Sequence, residues 1–425
     1  MRTLNISIEI NGNQVPVGTI EGSDSDNAQF KYLTSYIRAG LPAISISRPV
    51  REEPYSALAT KNFFEGLLPE GFARKTVSNW IHTSENDYIA ILKVLGSECL
   101  GAIRVYESAD SIGSYELLSI DEVKSIAREG VLKSTEMITN AHLSLTGASG
   151  KVGLYYDMDN DRWFKPKGNA PSTHIVKQSH VRLSDIVTNE QLSLLTASEL
   201  GIEIPESFII NTGNATDKDV LFATKRYDRF ISEKSRKING MICPLRLHQE
   251  DFAQALGIAA RDKYETDSNN YLRLVFELIR NHSSNPIDDQ LKLWDIIIFD
   301  YLIGNTDNHI KNISLLYTED LKRIRLAPAY DIVSTSIYEG SSREMAIGIA
   351  GERNIDIITR YHFSKAAGDI GFSERIAMKR FDEMANRFEN AINKISIDLV
   401  DQGFASAIAI KEKIMKSAGY KKITP

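Results

Sequence analysis

Cysteine is scarce in this chain: of 425 residues, two are cysteines, Cys99 and Cys243. They form no Cys-x-x-Cys pair, and the eight histidines form no cluster. That excludes a disulfide scaffold and a Cys/His zinc site, and it fits a reducing, cytoplasmic setting. Long apolar runs are also missing. Nothing approaches the ~18 consecutive apolar residues of a membrane helix, so no membrane span is expected. The N-terminus, Met1-Arg2-Thr3-Leu4-Asn5-Ile6-Ser7-Ile8, alternates as a strand does and lacks the apolar centre of a signal peptide. Positive charge is not in excess. The formal net charge is −6 and the pI is about 5.9. A broad basic nucleic-acid platform is therefore excluded, while a local basic groove or a DNA-binding partner is not.

What is present is an ordinary globular composition, 42% hydrophobic and 25% charged. The length exceeds one core, so two or three domains are expected. The first segment, 1–110, opens with Leu4, Ile6, Ile8 and Ile10 alternating with polar residues. It then turns at Asn11-Gly12-Asn13, a hairpin signal. It continues through a helical stretch around 62–79 and a Gly-rich, strand-like stretch from Leu95 to Tyr106. The polar residues Glu107 to Ser111 mark a boundary. The second segment, 111–227, is rich in strands, with one helix near 189–200 that ends at Gly201. The third, 228–425, is mainly helical from Leu247 onward.

The most informative stretch is Ile303-Gly304-Asn305-Thr306-Asp307-Asn308-His309-Ile310-Lys311-Asn312. It follows the apolar run Leu293–Ile303, which reads as a buried helix that Gly304 ends. A dense polar loop on a rigid apolar support is the arrangement a catalytic site needs. Asp307 and Asn312 stand five residues apart. In kinases that spacing holds an Asp for the substrate hydroxyl and an Asn for Mg²⁺. Two short strands, 313–317 and 323–326, would fold Asp331 back beside Asn312. Asp307, Asn312 and Asp331 then form an oxygen-rich set suited to Mg²⁺ together with phosphates and water.

A second loop, Ser144-Leu145-Thr146-Gly147-Ala148-Ser149-Gly150-Lys151, lies between strand-like segments. Its small residues allow backbone N–H groups close to phosphate oxygens, with Gly147, Ser149 and Lys151 as candidate contacts. It is not a Walker A loop, since Leu145 stands at the first glycine position and Val152 at the Ser/Thr position. A plain β-turn is the other reading. Downstream, Lys177 ends an apolar strand, where kinases place the lysine that meets the α/β phosphates. Glu190, early in the next helix, is its candidate partner.

Taken together, Asn305–Asn312, Leu326–Asp331, Thr173–Lys177, Leu247–Gly257 and Phe63–Gly71 resemble the HipA-like serine/threonine kinases, toxins of bacterial toxin–antitoxin pairs. The resemblance spans nearly the whole chain, with five separated motifs in family order. It implies an α+β, two-lobed, protein-kinase-like fold with an extra N-terminal β-rich subdomain and a mainly helical C-terminal lobe. It implies Asp307 as catalytic base, Asn312 and Asp331 as Mg²⁺ ligands and Lys177 as a phosphate contact. Lys225-Arg226-Tyr227-Asp228 resembles the family hinge, so Lys225, Tyr227 and Asp228 are expected at ATP, Asp228 at the ribose. Ser144 aligns with the loop serine whose autophosphorylation silences family members. The implied partners are a helix-turn-helix, HipB-like antitoxin that contacts operator DNA, and a protein substrate such as an aminoacyl-tRNA synthetase. Two positions depart from the pattern. Ser149-Gly150 precedes the loop lysine where Gln and an acidic residue are common, and Lys225 replaces a usual Glu. The alternatives are a small-molecule or lipid kinase of the same fold, or a nucleotide-binding corepressor scaffold without kinase activity.

Overall fold

The computed structural model describes residues 2–107, 113–129, 150–179 and 183–421. Ser144, Gly147 and Ser149 lie outside the described residues. Two compact units form: residues 1–178 with 223–260 and 315–324, and residues 179–222 with 261–314 and 325–425.

The first unit opens with an antiparallel sheet in the order Gln29–Tyr32, Asn13–Gly22, Arg2–Ile10, Ile103–Tyr106. Leu4, Ile6, Ile8 and Ile10 are buried, as their alternation requires. The expected hairpin turns on Asn11 and Gly12, with φ of 51° and 79°. A type I′ turn needs positive φ at both central residues, which Asn-Gly supplies at low cost. The helical stretch expected around 62–79 is two helices, Ala57–Phe64 and Gly71–Trp80. Pro69 has no N–H to donate and forces the residue before it out of the helical region; Leu68 is extended, with ψ 157°. Leu95 to Tyr106 is likewise not one strand. Tyr88–Leu95 is helical, started by Asp87 accepting from the Ala90 N–H at 3.1 Å, and strand returns only at Ile103–Tyr106. The intervening turn carries Glu98 into the interior.

A second sheet in this unit runs Ser114–Leu117, Arg162–Lys167, Lys151–Asp157, His174–Gln178. Its register sets Lys151 directly opposite Lys177, and both are buried.

The second unit is mainly helical around Pro286–Ile303. Pro286 begins this helix, where its missing N–H costs nothing. Gly304 ends it at φ 77°, and a Cβ there would fall 2.0 Å from the Ser336 hydroxyl, so only glycine fits. Trp294 is fully buried among Phe276, Phe363 and Phe372, and its Nε1 donates to the Ala377 carbonyl at 3.1 Å. The helix Ile186–Glu199 buries polar as well as apolar side chains, Asn189 and Ser193 among them. No helix among the described residues is long and apolar enough to cross a membrane.

Candidate active site

The loop after Gly304 is held from beneath by a single carboxylate. Asp300 is 2% exposed, and burial pushes its carboxyl up to about 7. It accepts from Asn305 Nδ2 at 2.9 Å and from Asn308 Nδ2. Asn305 Oδ1 in turn accepts from the Asp307 N–H at 3.1 Å. From above, Asn312 Nδ2 donates to the Asp307 carbonyl, also at 3.1 Å. The main chain of Asp307 is thus fixed at both polar atoms while its side chain stays exposed. With its amide nitrogen so used, Asn312 has its carbonyl oxygen Oδ1 as the atom to offer a cation. A short side-chain oxygen beside a carboxylate suits Mg²⁺.

The arm bearing Asp331 is tied to the same loop. Tyr330 hydroxyl meets the Ser314 hydroxyl at 2.6 Å and donates to the Lys311 carbonyl at 3.2 Å. Asn312 and Tyr330 line one small cavity. Asp331 itself adopts φ 59°, a left-handed conformation that Asp tolerates better than most residues. The segment beyond it is clamped by Asn189, whose Nδ2 donates to the Ser334 carbonyl at 2.9 Å and whose Oδ1 accepts from the Ser334 N–H at 3.2 Å. The Thr306 N–H donates to Thr335 Oγ1 at 2.8 Å. These bonds bring the elements that carry Asp307, Asn312 and Asp331 into one braced assembly. A roomier cavity, about 290 Å³, is bordered by Ile202, Glu203, Lys292 and Ala327, and none of the expected site residues lines it.

The candidate nucleotide residues lie in the first unit. Lys151 and Lys177 are cross-strand neighbours. Lys225 is exposed and Tyr227 half-buried. Asp228 is used differently from the ribose contact expected of it. It is 3% exposed, and its carboxylate accepts from Arg226 at 2.7 and 2.9 Å, from Arg229 at 2.9 Å and from the Gly101 N–H at 2.7 Å. Two guanidiniums and a backbone amide enclose it, so it serves as an internal counter-ion. Glu98 sits at the centre of the same cluster, accepting from Arg226, Arg229 and Arg246. Burial alone would raise its carboxyl, but Arg229, Arg246 and Arg226 overcome that and hold it well below the usual carboxylate range.

Residues 143–392 match the family model of the HipA-like C-terminal domain, and residues 8–106 that of the HipA N-terminal domain. The chain belongs to the HipA family of kinases. It is 24% identical over 432 residues to the serine/threonine-protein kinase toxin HipA of Shewanella oneidensis, covering 95% of this chain and 93% of that one. It is 28% identical over 390 residues to Y4mE of Sinorhizobium fredii, which is named as a kinase, covering 88% and 89% of the two chains. Its α+β fold matches HipA in the solved complex of Shewanella oneidensis HipA, HipB and operator DNA, with a TM-score of 0.78 at 22% identity over 97% of this chain and 96% of that one.

Two motifs of this HipA-family chain form a joint within the first unit. Asp251 and Gln254 make a reciprocal capping box for the helix Phe252–Leu256. Gln254 Nε2 donates to the Phe63 carbonyl at 3.0 Å, and a Cβ on Gly66 would come within 2.8 Å of the Gln254 side chain. Phe63–Gly71 and Leu247–Gly257 therefore specify each other. Glu250, within this joint, accepts from the Ile46 N–H at 3.1 Å and from the Tyr317 hydroxyl, and burial pushes its carboxyl up to about 7. A raised carboxyl favours the folded state when protonated. Its contribution is complete below an unfolded value of about 4.5 and is lost as pH rises to about 7. Thermal unfolding between those limits should show Glu250→Gln losing less stability than the unsubstituted chain as pH rises. Parallel curves would assign that decline to other groups.

Sequence reasoning missed Asp300, Asn189 and Tyr264, whose hydroxyl donates to Asp307 Oδ1 at 2.6 Å. Asp300 did leave a signal, as a lone carboxylate in the apolar run Ile296–Ile303. Asn189 and Tyr264 left none, because each acts across more than 40 residues of chain (145 and 43).

Proposed function

We propose that this chain is an ATP- and Mg²⁺-dependent serine/threonine-protein kinase that arrests growth as the toxin of a type II toxin–antitoxin pair. The observation that carries this is the loop 305–312. Asp307 is exposed while its main chain is held by Asn305 and Asn312, the state in which a carboxylate can take a hydroxyl proton. Asp307 orients the acceptor hydroxyl and receives its proton. Asn312 Oδ1 and the Asp331 carboxylate would hold Mg²⁺, which would supply positive charge beside the transferring phosphoryl group. Lys177 and Lys151 meet phosphate oxygens, and Lys225 and Tyr227 border the adenine. The ribose contact is not assigned to Asp228. Autophosphorylation at Ser144 places about −1.5 to −2 charges in the Gly-rich loop, which repels the ATP phosphates and lowers activity. The partner is a helix-turn-helix antitoxin of HipB type, through which any contact with operator DNA is made. The net charge of −6 agrees with that indirect route.

The test is expression of the chain alone in a bacterial host. Growth should stop, Asp331→Ala should restore it, and a co-expressed helix-turn-helix protein from the neighbouring reading frame should also restore it. Mass spectrometry after incubation with Mg·ATP should find phosphate within residues 144–149. Equal arrest by Asp331→Ala would favour the corepressor-scaffold reading over the kinase.

A further inference from the structure

Asn305, Asn312 and Tyr264 hold Asp307 at different atoms. Asn305 and Asn312 fix its backbone N–H and carbonyl, which leaves χ1 and χ2 unset. The carboxylate itself is reached by Tyr264, whose hydroxyl donates to Oδ1 at 2.6 Å. That is a short, charge-assisted bond. The tyrosine is braced in turn. Its ring meets His309 edge-on, with centroids 5.1 Å apart at 83°. The next residue, Glu265, donates its N–H to the Ala346 carbonyl at 2.9 Å and accepts from the Tyr271 N–H at 2.8 Å. Because His309 belongs to the same loop as Asp307, phenol and carboxylate are registered by one short piece of chain. An exposed carboxylate without such a donor would exchange rotamers in water, and ordering it at each turnover costs rate. Gripping Oδ1 fixes the carboxylate plane, and with it the direction of Oδ2.

We propose that Tyr264 is a positioning residue for phosphoryl transfer: its phenol hydroxyl clamps Asp307 through Oδ1 and so aims Oδ2 at the acceptor hydroxyl. This rests on the reading of Asp307 as the base. Tyr264→Phe removes the hydroxyl and keeps the ring against His309. The full-length chain is incubated with Mg·ATP labelled at the γ-phosphate, and label transferred to the chain itself and to dephosphorylated casein is followed. Tyr264→Phe should lower kcat about 10- to 100-fold, with the KM for ATP and the unfolding midpoint unchanged. Placed on Asp307→Asn, it should lower the residual rate no further, because two groups acting as one unit are not additive. Wild-type kcat in Tyr264→Phe would overturn the proposal. So would a faster rate, which would mean that the phenol blocks the acceptor position, or phosphate recovered on Tyr264, which would make it an acceptor. A wild-type chain that transfers no label to either acceptor would overturn the kinase reading itself, a result distinct from these.

Discussion

Asp307→Asn should reduce phosphoryl transfer by at least about 100-fold, the usual contribution of a positioned general base, while ATP binding persists. The substitution is nearly isosteric. The amide that replaces the carboxylate still offers an oxygen to the Tyr264 hydroxyl, and the backbone at this position still meets Asn305 Oδ1 and Asn312 Nδ2. Fold and loop geometry should therefore survive, and only the capacity to take a proton is lost. Asp331→Ala gives a different signature, because it removes a cation ligand and should weaken Mg·ATP binding along with transfer. Calorimetric titration with Mg·ATP, run beside a radiolabel transfer assay, separates the two. An Asp307→Asn variant within 10-fold of wild-type transfer would remove Asp307 from the proton-transfer role. In the cell the same variant should no longer arrest growth.

Much of this site could be read from the chain because its spacing is local. Gly304 is required by a positive φ and by the approach of Ser336, and Asp307 and Asn312 sit on one short loop. The N-terminal hairpin was legible for the same reason, since Asn11-Gly12 carries its own turn geometry. What could not be read depends on partners far apart in sequence. Asp228 looks like a ribose ligand only until Arg226, Arg229 and Gly101 are seen to enclose it; Gly101 lies 127 residues away. Tyr264 precedes Asp307 by 43 residues, in a segment whose local pattern says nothing of a carboxylate. The break between Ala57–Phe64 and Gly71–Trp80 was signalled by Pro69, which lacks the N–H that a continuing helix needs. Local turn chemistry is written in adjacent residues; polar pairing across the core is not.

Glu98→Ala should be the most destabilising single change in the first unit. Glu98 is fully buried and accepts from Arg226 Nη1 at 3.0 Å, Arg229 Nη2 at 2.9 Å and Arg246 Nη2 at 2.5 Å. Arg246 also reaches Glu9, and Asp228 serves Arg226 and Arg229, so three acids balance three guanidiniums. Removing the central acid leaves an uncompensated positive charge in a dry site, which costs about 3–5 kcal/mol. An exposed pair of similar bidentate geometry, Arg360 with Asp382, provides the comparison, because Arg360→Ala should cost roughly 0–1 kcal/mol. The loss should also reach the nucleotide. Arg226 and Asp228 flank Tyr227, and Arg226 also donates to the Cys99 carbonyl at 3.1 Å, so the strand end expected at adenine is anchored through this cluster. Glu98→Gln keeps the shape and one acceptor oxygen but not the charge. It should fall between the two in unfolding midpoint and should bind ATP more weakly than Arg360→Ala does. Circular dichroism melts and equilibrium ATP binding on the three variants decide the matter. If Glu98→Ala melts with Arg360→Ala, the cluster does not hold the unit together, and water must reach the guanidiniums when the acid is gone.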